Sequence, residues 1–346
     1  MSQLLLPPEW YPQSAIQLTW PHPGTDWEYM LKEVTACYVN VATEILKRQK
    51  LIVVCHDAEI VKYELRGLSG LSDNLILVEL PTNDTWARDH SGISVFKDGK
   101  KQIYDFTFNG WGLKFASNHD NQITRGLFKN KVFSPDVELI NKKDFVLEGG
   151  ALESDGKGTL LTTTECLLSP NRNSFLSKEE IEDYLKRNFG LDRILWLDHG
   201  YLSGDDTDSH IDTLARYTDE HTIVYVKCED KDDEHYEALS KMEKQLKTFT
   251  DYEGNPYRLI ALPMAKAVYD ESNQRLPATY ANFLIMNDVV LLPFYNNKEK
   301  DEEARRRLRQ AFPSREVIGI DCSPLIRQHG SLHCITMQYP EKTISQ

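Results

Sequence analysis

The 346-residue sequence is poor in the features that most quickly assign a chain to a class. No apolar run approaches the roughly 20 residues that a membrane-spanning helix needs, so no membrane partner is expected. The opening, Met1 to Pro8, has no basic start, no full apolar stretch and no cleavage pattern; a secretory leader is not expected and a cytoplasmic location is. Six cysteines, at 37, 55, 166, 228, 322 and 334, form neither a CxxC pair nor a dense framework, which fits reduced thiols better than disulfides. There is no GxGxxG, no Walker loop and no GxSxG elbow. Positive charge is also scarce: 40 Lys and Arg against 53 Asp and Glu leave a net charge of -13. Nucleic acid, whose phosphates demand clustered cations, is thereby disfavoured, and a small cationic substrate is favoured.

What is present suits one large α/β domain spanning residues 1–346. Apolar residues make up 40% of the chain, and no Ser/Pro/Gly-rich linker divides it. Strands are expected at 15–20, 51–55, 75–80, 92–96, 102–106, 193–197, 222–226, 258–262 and 316–320, with hairpins joining 146–152 to 159–163 and 282–286 to 289–293. Asp26 is placed as the cap of a long helix to about Arg48, Asp57 as the cap of a shorter one, and Ser177 to Glu180 as a capping box for a helix ending at Gly190. Further helices are expected over about 233–249 and 300–312, and 108–130 reads as a long loop. Five helices, near Trp27, Asp57, Ser177, Asp233 and Lys300, each precede an apolar strand. A repetitive domain and a doubly wound sheet both fit that count.

Four separated stretches carry chemistry. Leu332 to Met337 reads as a short buried strand with Cys334 where the preceding turn enters it; a thiol there is either core or a nucleophile. His210 and Asp212 lie two apart, so on an extended segment they share a face, although Asp and Ser also crowd ordinary turns. Glu148 ends an apolar strand ahead of Gly149-Gly150, and if it faces inward it requires a partner such as His210. Asp89 follows Trp86 and Arg88, where Trp86 suits a pocket wall and the charged pair suits a local ion bridge. These spacings do not match structural zinc sites.

Taken together, Trp86-Ala87-Arg88-Asp89, Phe108-Asn109-Gly110-Trp111-Gly112, Leu147-Glu148-Gly149-Gly150, Glu165 to Asn173, Asp208 to Asp212 and His333-Cys334-Ile335-Thr336 resemble the agmatine deiminase and bacterial peptidylarginine deiminase family, from Pro8-Glu9-Trp10 to the Cys334 segment. The resemblance implies a pentein fold, a five-bladed α/β propeller with pseudo-fivefold symmetry. It implies hydrolysis of a guanidino group with Cys334 as nucleophile, His210 as acid and base, Glu148 as its orienting carboxylate, and Asp89 with Asp212 gripping the cation beside Trp86. No metal or organic cofactor is expected. Agmatine is the first expectation for substrate, with peptidyl-arginine, another guanidino compound, or a silent pentein that only binds a cation as alternatives. Assembly into homo-oligomers stays open. The chain departs from the agmatine deiminase pattern at His90-Ser91-Gly92, Gly110-Trp111-Gly112-Leu113 and His329-Gly330-Ser331-Leu332, positions expected along the approach to the thiol.

Overall fold

A short antiparallel pairing, then a helix, then a strand returning parallel to its partner: this sequence of events recurs along the computed structural model, which describes residues 4–345. Met1 to Gln3, part of the segment read as carrying no leader, lie outside the described residues. Among those residues the strands form five separate sheets. The first places Thr336–Pro340 antiparallel to Gln13–Thr19, followed by Lys50–Cys55 and Leu75–Glu79 in parallel, so the two ends of the chain meet in one sheet. Leu4–Leu5, Ile93–Lys97, Lys100–Thr107 and Glu138–Val146 form the second. The third holds Glu153–Ser154, Thr159–Thr163 and Arg193–Leu197, the fourth Ala215–Asp219, Thr222–Lys227 and Arg258–Pro263, and the fifth Leu284–Ile285, Val289–Phe294 and Glu316–Asp321. Helices Leu31–Leu46, Ile123–Lys129, Lys178–Phe189, Tyr236–Leu246 and Lys298–Ala311 make the crossovers.

Local chemistry explains most boundaries. Asp57 accepts from the backbone N–H groups of Glu59 and Ile60 and starts Ala58–Glu64, a cap that contributes about 1 kcal/mol. The Ser177–Glu180 capping box and the left-handed Gly190 delimit Lys178–Phe189 as expected. In Leu31–Leu46 the buried positions Val34, Cys37, Tyr38, Val41, Ile45 and Leu46 follow helical spacing. They share a core with Ile16 and Val53 of the first sheet and Leu291 of the fifth.

Several expectations need correction. Asp26 caps nothing: Glu28–Met30 is a 3₁₀ turn, and the backbone breaks at Met30 before the α-helix begins. The segment 108–130 is no plain loop, because its second half is the crossover helix Ile123–Lys129 of the second sheet. Left-handed Trp111 and Leu113, with Gly110 and Gly112, break periodicity upstream and hide that helix from a pattern reading. Glu138–Val146 is a strand that had not been anticipated, and the hairpin arm before Thr159–Thr163 is only Glu153–Ser154, since Gly149–Ala151 turns. The count of five helix–strand units was reached with a wrong member: the Asp57 helix belongs to the first sheet, which already has its crossover.

Where the sheets converge, the fully buried Arg216 ties four segments together. Its guanidinium bonds Glu9 and Glu153, donates to the carbonyls of Ala281 (3.2 Å) and Phe283 (2.7 Å), and lies over the Phe283 ring. Glu9 uses its other oxygen to accept from the Ile285 N–H, and Glu153 accepts from the Tyr217 N–H, so every oxygen is satisfied. His333 joins this knot through Nε2, 2.8 Å from Glu9. Burial opposes the Glu9 charge, but Arg216 and then His333 outweigh it and hold its carboxyl well below the usual range.

Candidate active site

Cys334 lies in a turn. The strand expected from Leu332 starts only at Thr336, because Asn282 Oδ1 takes the N–H groups of His333 (2.9 Å) and Cys334 (3.3 Å) that a sheet ladder would otherwise use. The same oxygen accepts from the thiol at 3.4 Å, and Asn282 Nδ2 donates to the Asp212 carbonyl at 3.2 Å. One amide thus fixes the cysteine segment to the aspartate segment, a role that nothing local in the sequence marks. Cys334 is 5% exposed. Burial pushes its thiol well above the ordinary range, and the charges of Asp212 and Asp89 push the same way.

Those two aspartates arrive from different elements. Asp89 sits on the short helix Ala87–His90, where its Oδ1 accepts from the Gly150 N–H and its Oδ2 from the Trp111 indole, each at 3.0 Å. Its partners are neutral donors, and burial raises its pKa. Asp212 is in Ile211–Thr213 with Oδ2 2.7 Å from His333 Nδ1. Burial opposes its charge too, but the His333 bond and charge outweigh it and its pKa is lowered. Asp212 Oδ1 is buried without a hydrogen-bond partner.

His210 is fully buried, with Nδ1 3.6 Å from Asp89 Oδ1. Burial disfavours the imidazolium, yet Asp89, followed by Cys166 and Glu148, holds its pKa well above the ordinary value. Gly150 is required beside it: a Cβ there would come within 2.5 Å of His210 Nδ1 and 2.9 Å of Asp89 Oδ1.

Glu148 does face inward, but its hydrogen-bond partner is Arg172, whose Nε lies 3.0 Å from each carboxylate oxygen. His210 is near without sharing that bond; one ligand-type atom each of Glu148, Cys166 and His210 lies within 4.8 Å of the others. Such a trio is a conceivable metal cradle, except that the guanidinium already occupying both Glu148 oxygens would repel a dication. Arg172 also donates to Asp208 (2.5 Å) and to the Thr207 carbonyl (2.9 Å). It thereby holds the strained stretch at left-handed Asp208 and Ser209 that delivers His210. Sequence reasoning quoted Arg172 within a motif but gave it no task.

The thiol opens into a cavity of about 360 Å³ including its mouth. Trp86, packed on Trp27 at 5.7 Å, walls it together with Trp111 and Phe115. Asp89 lies on the inner wall, and Asp26, Asp84 and Asp206 also line it, three acids that the sequence had not assigned to substrate binding. His329 and Gly330, two of the departures from the agmatine deiminase pattern, do border this approach. Burial pushes Asp84 up to about 8 and Asp206 up to about 6, in both cases with solvent still reaching part of the side chain. Neither Lys nor Arg lines the cavity among the described residues.

Comparison with known proteins agrees with this chemistry. A substrate-bound cysteine-to-serine variant of the C. jejuni agmatine deiminase is 40% identical, with a TM-score of 0.90 over 98% of this chain and 96% of that one. The agmatine deiminase of Medicago truncatula is 32% identical over 97% of this chain and 96% of its own length. A Porphyromonas gingivalis structure provisionally assigned as an arginine deiminase is 57% identical, with a TM-score of 0.95 over 99% of this chain and all of that one. The family model for Porphyromonas-type peptidyl-arginine deiminases matches residues 5–340, and the chain, a mixed α/β protein with Cys334 and Asp89 on one cavity and His210 buried beside Asp89, belongs to that family.

Proposed function

We propose that the protein hydrolyses agmatine to N-carbamoylputrescine and ammonia. The observation that carries this reading is the acidic lining of the cavity: Asp26, Asp84, Asp89 and Asp206 line it without a Lys or Arg. Agmatine carries a cation at each end and no carboxylate, whereas free arginine would bring its α-carboxylate toward Asp84 and Asp206, and peptidyl-arginine would leave those acids unmatched.

In this mechanism Asp89 and the unpartnered Oδ1 of Asp212 grip the guanidinium over Cys334. Its charge replaces the repulsion that keeps the thiol protonated, and the thiol proton leaves to solvent. Sγ bonds to the guanidine carbon, giving a tetrahedral adduct. His210, held protonated beside Asp89, donates to the departing nitrogen, and ammonia leaves as the C–N bond breaks. The neutral imidazole then takes a proton from water, which attacks the thiouronium carbon, and the C–S bond breaks to give the ureido product and free thiol. Glu148 orients this imidazole electrostatically while Arg172 holds the carboxylate. Trp86 and Trp111 wall the bound guanidinium.

We also propose that the five sheets are the blades of one α/β propeller, a single domain over 1–346, closed by pairing of the terminal strands and pinned at its axis by Arg216. The recurrence of antiparallel pair, helix and parallel strand supports this. A cytoplasmic location belongs to the same proposal; no helix among the described residues is long and apolar enough to cross a membrane.

Ammonia release should be compared for agmatine, free arginine and an arginine with both backbone ends blocked. Highest kcat/KM is expected for agmatine. Faster turnover of the blocked arginine would transfer the assignment to peptidyl-arginine, and no release from any of them would leave only a cation-binding role.

A further inference from the structure

A second recess lies directly behind the catalytic wall, about 640 Å³ including its open mouth. Arg88, Gly149 and His333 line it, while the residues that follow them turn to the opposite side: Asp89 and Cys334 line the thiol cavity, and Gly150 abuts His210. The two recesses are therefore back to back across a single layer of backbone.

Three buried polar atoms on residues lining the rear recess lack hydrogen-bond partners: Arg88 Nη2, Ser94 Oγ and Gln338 Oε1. Arg88 is 4% exposed and forms no ion pair among the described residues. Its contacts are a long 3.5 Å approach of Nε to the His333 carbonyl and a 3.6 Å contact of Nη1 with the Met337 sulfur. A buried guanidinium so thinly matched is costly. The carboxylates that share the recess, Glu9 and Glu153, do not relieve it, because Arg216 and the N–H groups of Ile285 and Tyr217 already occupy their oxygens. Arg88 therefore has no direct anionic partner on that side, and Glu9 offsets its charge only from beyond hydrogen-bond range.

We propose that the rear recess binds a small monocarboxylate with a short apolar chain. Its carboxylate bonds to the Arg88 guanidinium, with the Ser94 hydroxyl and the Gln338 amide, turned to present its NH₂, completing the set. The chain lies against Leu6, Pro8 and Leu152 at the mouth. A dianion such as phosphate suits the recess less well, given Glu9 and Glu153. Occupancy acts on the front of the wall, because the Arg88 backbone N–H donates to the Cys334 carbonyl at 3.0 Å and Arg88 precedes Asp89. A bound carboxylate therefore changes kcat without competing for the guanidino site.

The test is calorimetric titration of n-butyrate, with n-butyramide as the neutral comparator, into the full-length protein and its Cys334→Ala, Ser94→Ala, Gln338→Leu and Arg88→Gln variants. Butyrate should bind wild type and Cys334→Ala alike, still bind when agmatine saturates Cys334→Ala, and lose about tenfold or more in affinity on removal of any one rear donor, as expected for a hydrogen bond to a charged group. Ser94→Ala and Gln338→Leu decide the matter if Arg88→Gln fails to fold. Absence of butyrate binding to wild type would mean that water alone fills the recess and would overturn the proposal. So would equal binding of butyramide, displacement of butyrate by agmatine, or unchanged affinity in both Ser94→Ala and Gln338→Leu.

Discussion

Two clusters of buried charge sit a few residues apart in this protein and are built on opposite rules. In the knot around Arg216 every oxygen of Glu9 and Glu153 accepts a hydrogen bond, and one guanidinium serves both acids. Around the thiol Asp89 takes hydrogen bonds from the neutral donors Gly150 and Trp111, with His210 at 3.6 Å, and Asp212 keeps an oxygen without a partner. His333 belongs to both clusters, with one ring nitrogen toward Glu9 and the other toward Asp212. The first cluster is complete within the fold and acts as a fastener. The second holds no Lys or Arg among the described residues and leaves an Asp212 oxygen open to the guanidinium of the proposed substrate.

That contrast predicts that activity and stability can be removed separately. Cys334→Ala should lower turnover at least about a thousandfold, since no other group can form the covalent adduct. Its thermal midpoint should move little, because the thiol makes one weak bond, to Asn282. Loss of cooperative unfolding with normal turnover per folded molecule would reverse the assignment. Arg216→Met should do the opposite, leaving Glu153 without its cation and Glu9 with His333 in place of the guanidinium, and costing about 3–5 kcal/mol in denaturant unfolding. Unchanged stability in that variant would erase the distinction between the clusters.

The aspartates sharpen the comparison. In the Cys334→Ala background, Asp89→Asn and Asp212→Asn should each weaken agmatine binding by about 2–5 kcal/mol, read by calorimetry. Their effects on the free protein should differ: Asp212→Asn strips His333 of a charged partner and lowers stability, whereas Asp89→Asn replaces an acid whose charge burial already disfavours and costs much less. Agmatine affinity unchanged from Cys334→Ala in both variants would show that the clamp is misplaced.

The two clusters also differ in how far the sequence revealed them. Cys334, His210, Asp89, Asp212 and Trp86 were legible because motif chemistry and a family resemblance named them, and the structure brings all five to one region. The Asp57 cap and the Ser177 capping box were legible because each is decided within a few residues. The supports were not. Asn282 acts on Cys334 across 52 positions, Arg172 on Glu148 across 24, and Arg216 on Glu9 across 207. No periodicity or turn preference encodes a partner at that distance, so Glu148 was matched with His210 while its hydrogen-bonded partner, Arg172, went unassigned. Asp26 was misread for the related reason that an aspartate ahead of an apolar stripe looks like a cap whichever way its side chain finally faces.

The smallest expected effect tests the charge deficit itself, through pH. In the free protein Asp84 is pushed up to about 8 by burial, with Asp120 and Asp26 beside it, and Asp206 up to about 6, with Asp205 adding to burial and His329 and Lys114 opposing. Because these folded values lie above the ordinary 3.8, the protonated acids favour the fold, and their contribution to stability is lost as pH rises from near 4 through about 6 and about 8. A distal ammonium reverses the preference by favouring the ionised acids, so binding releases protons. Agmatine affinity for Cys334→Ala should therefore rise between pH 6 and 8, by at most about tenfold per unit for each proton released, and level off above. Asp84→Asn should flatten the upper part of that rise and remove the matching proton release, measured as the buffer dependence of the binding heat. A monocation such as methylguanidine, too short to reach the mouth, should show a weaker slope throughout. Identical slopes for agmatine and methylguanidine would mean that the outer acids do not meet the second charge, and the case for agmatine over arginine would lose its physical basis.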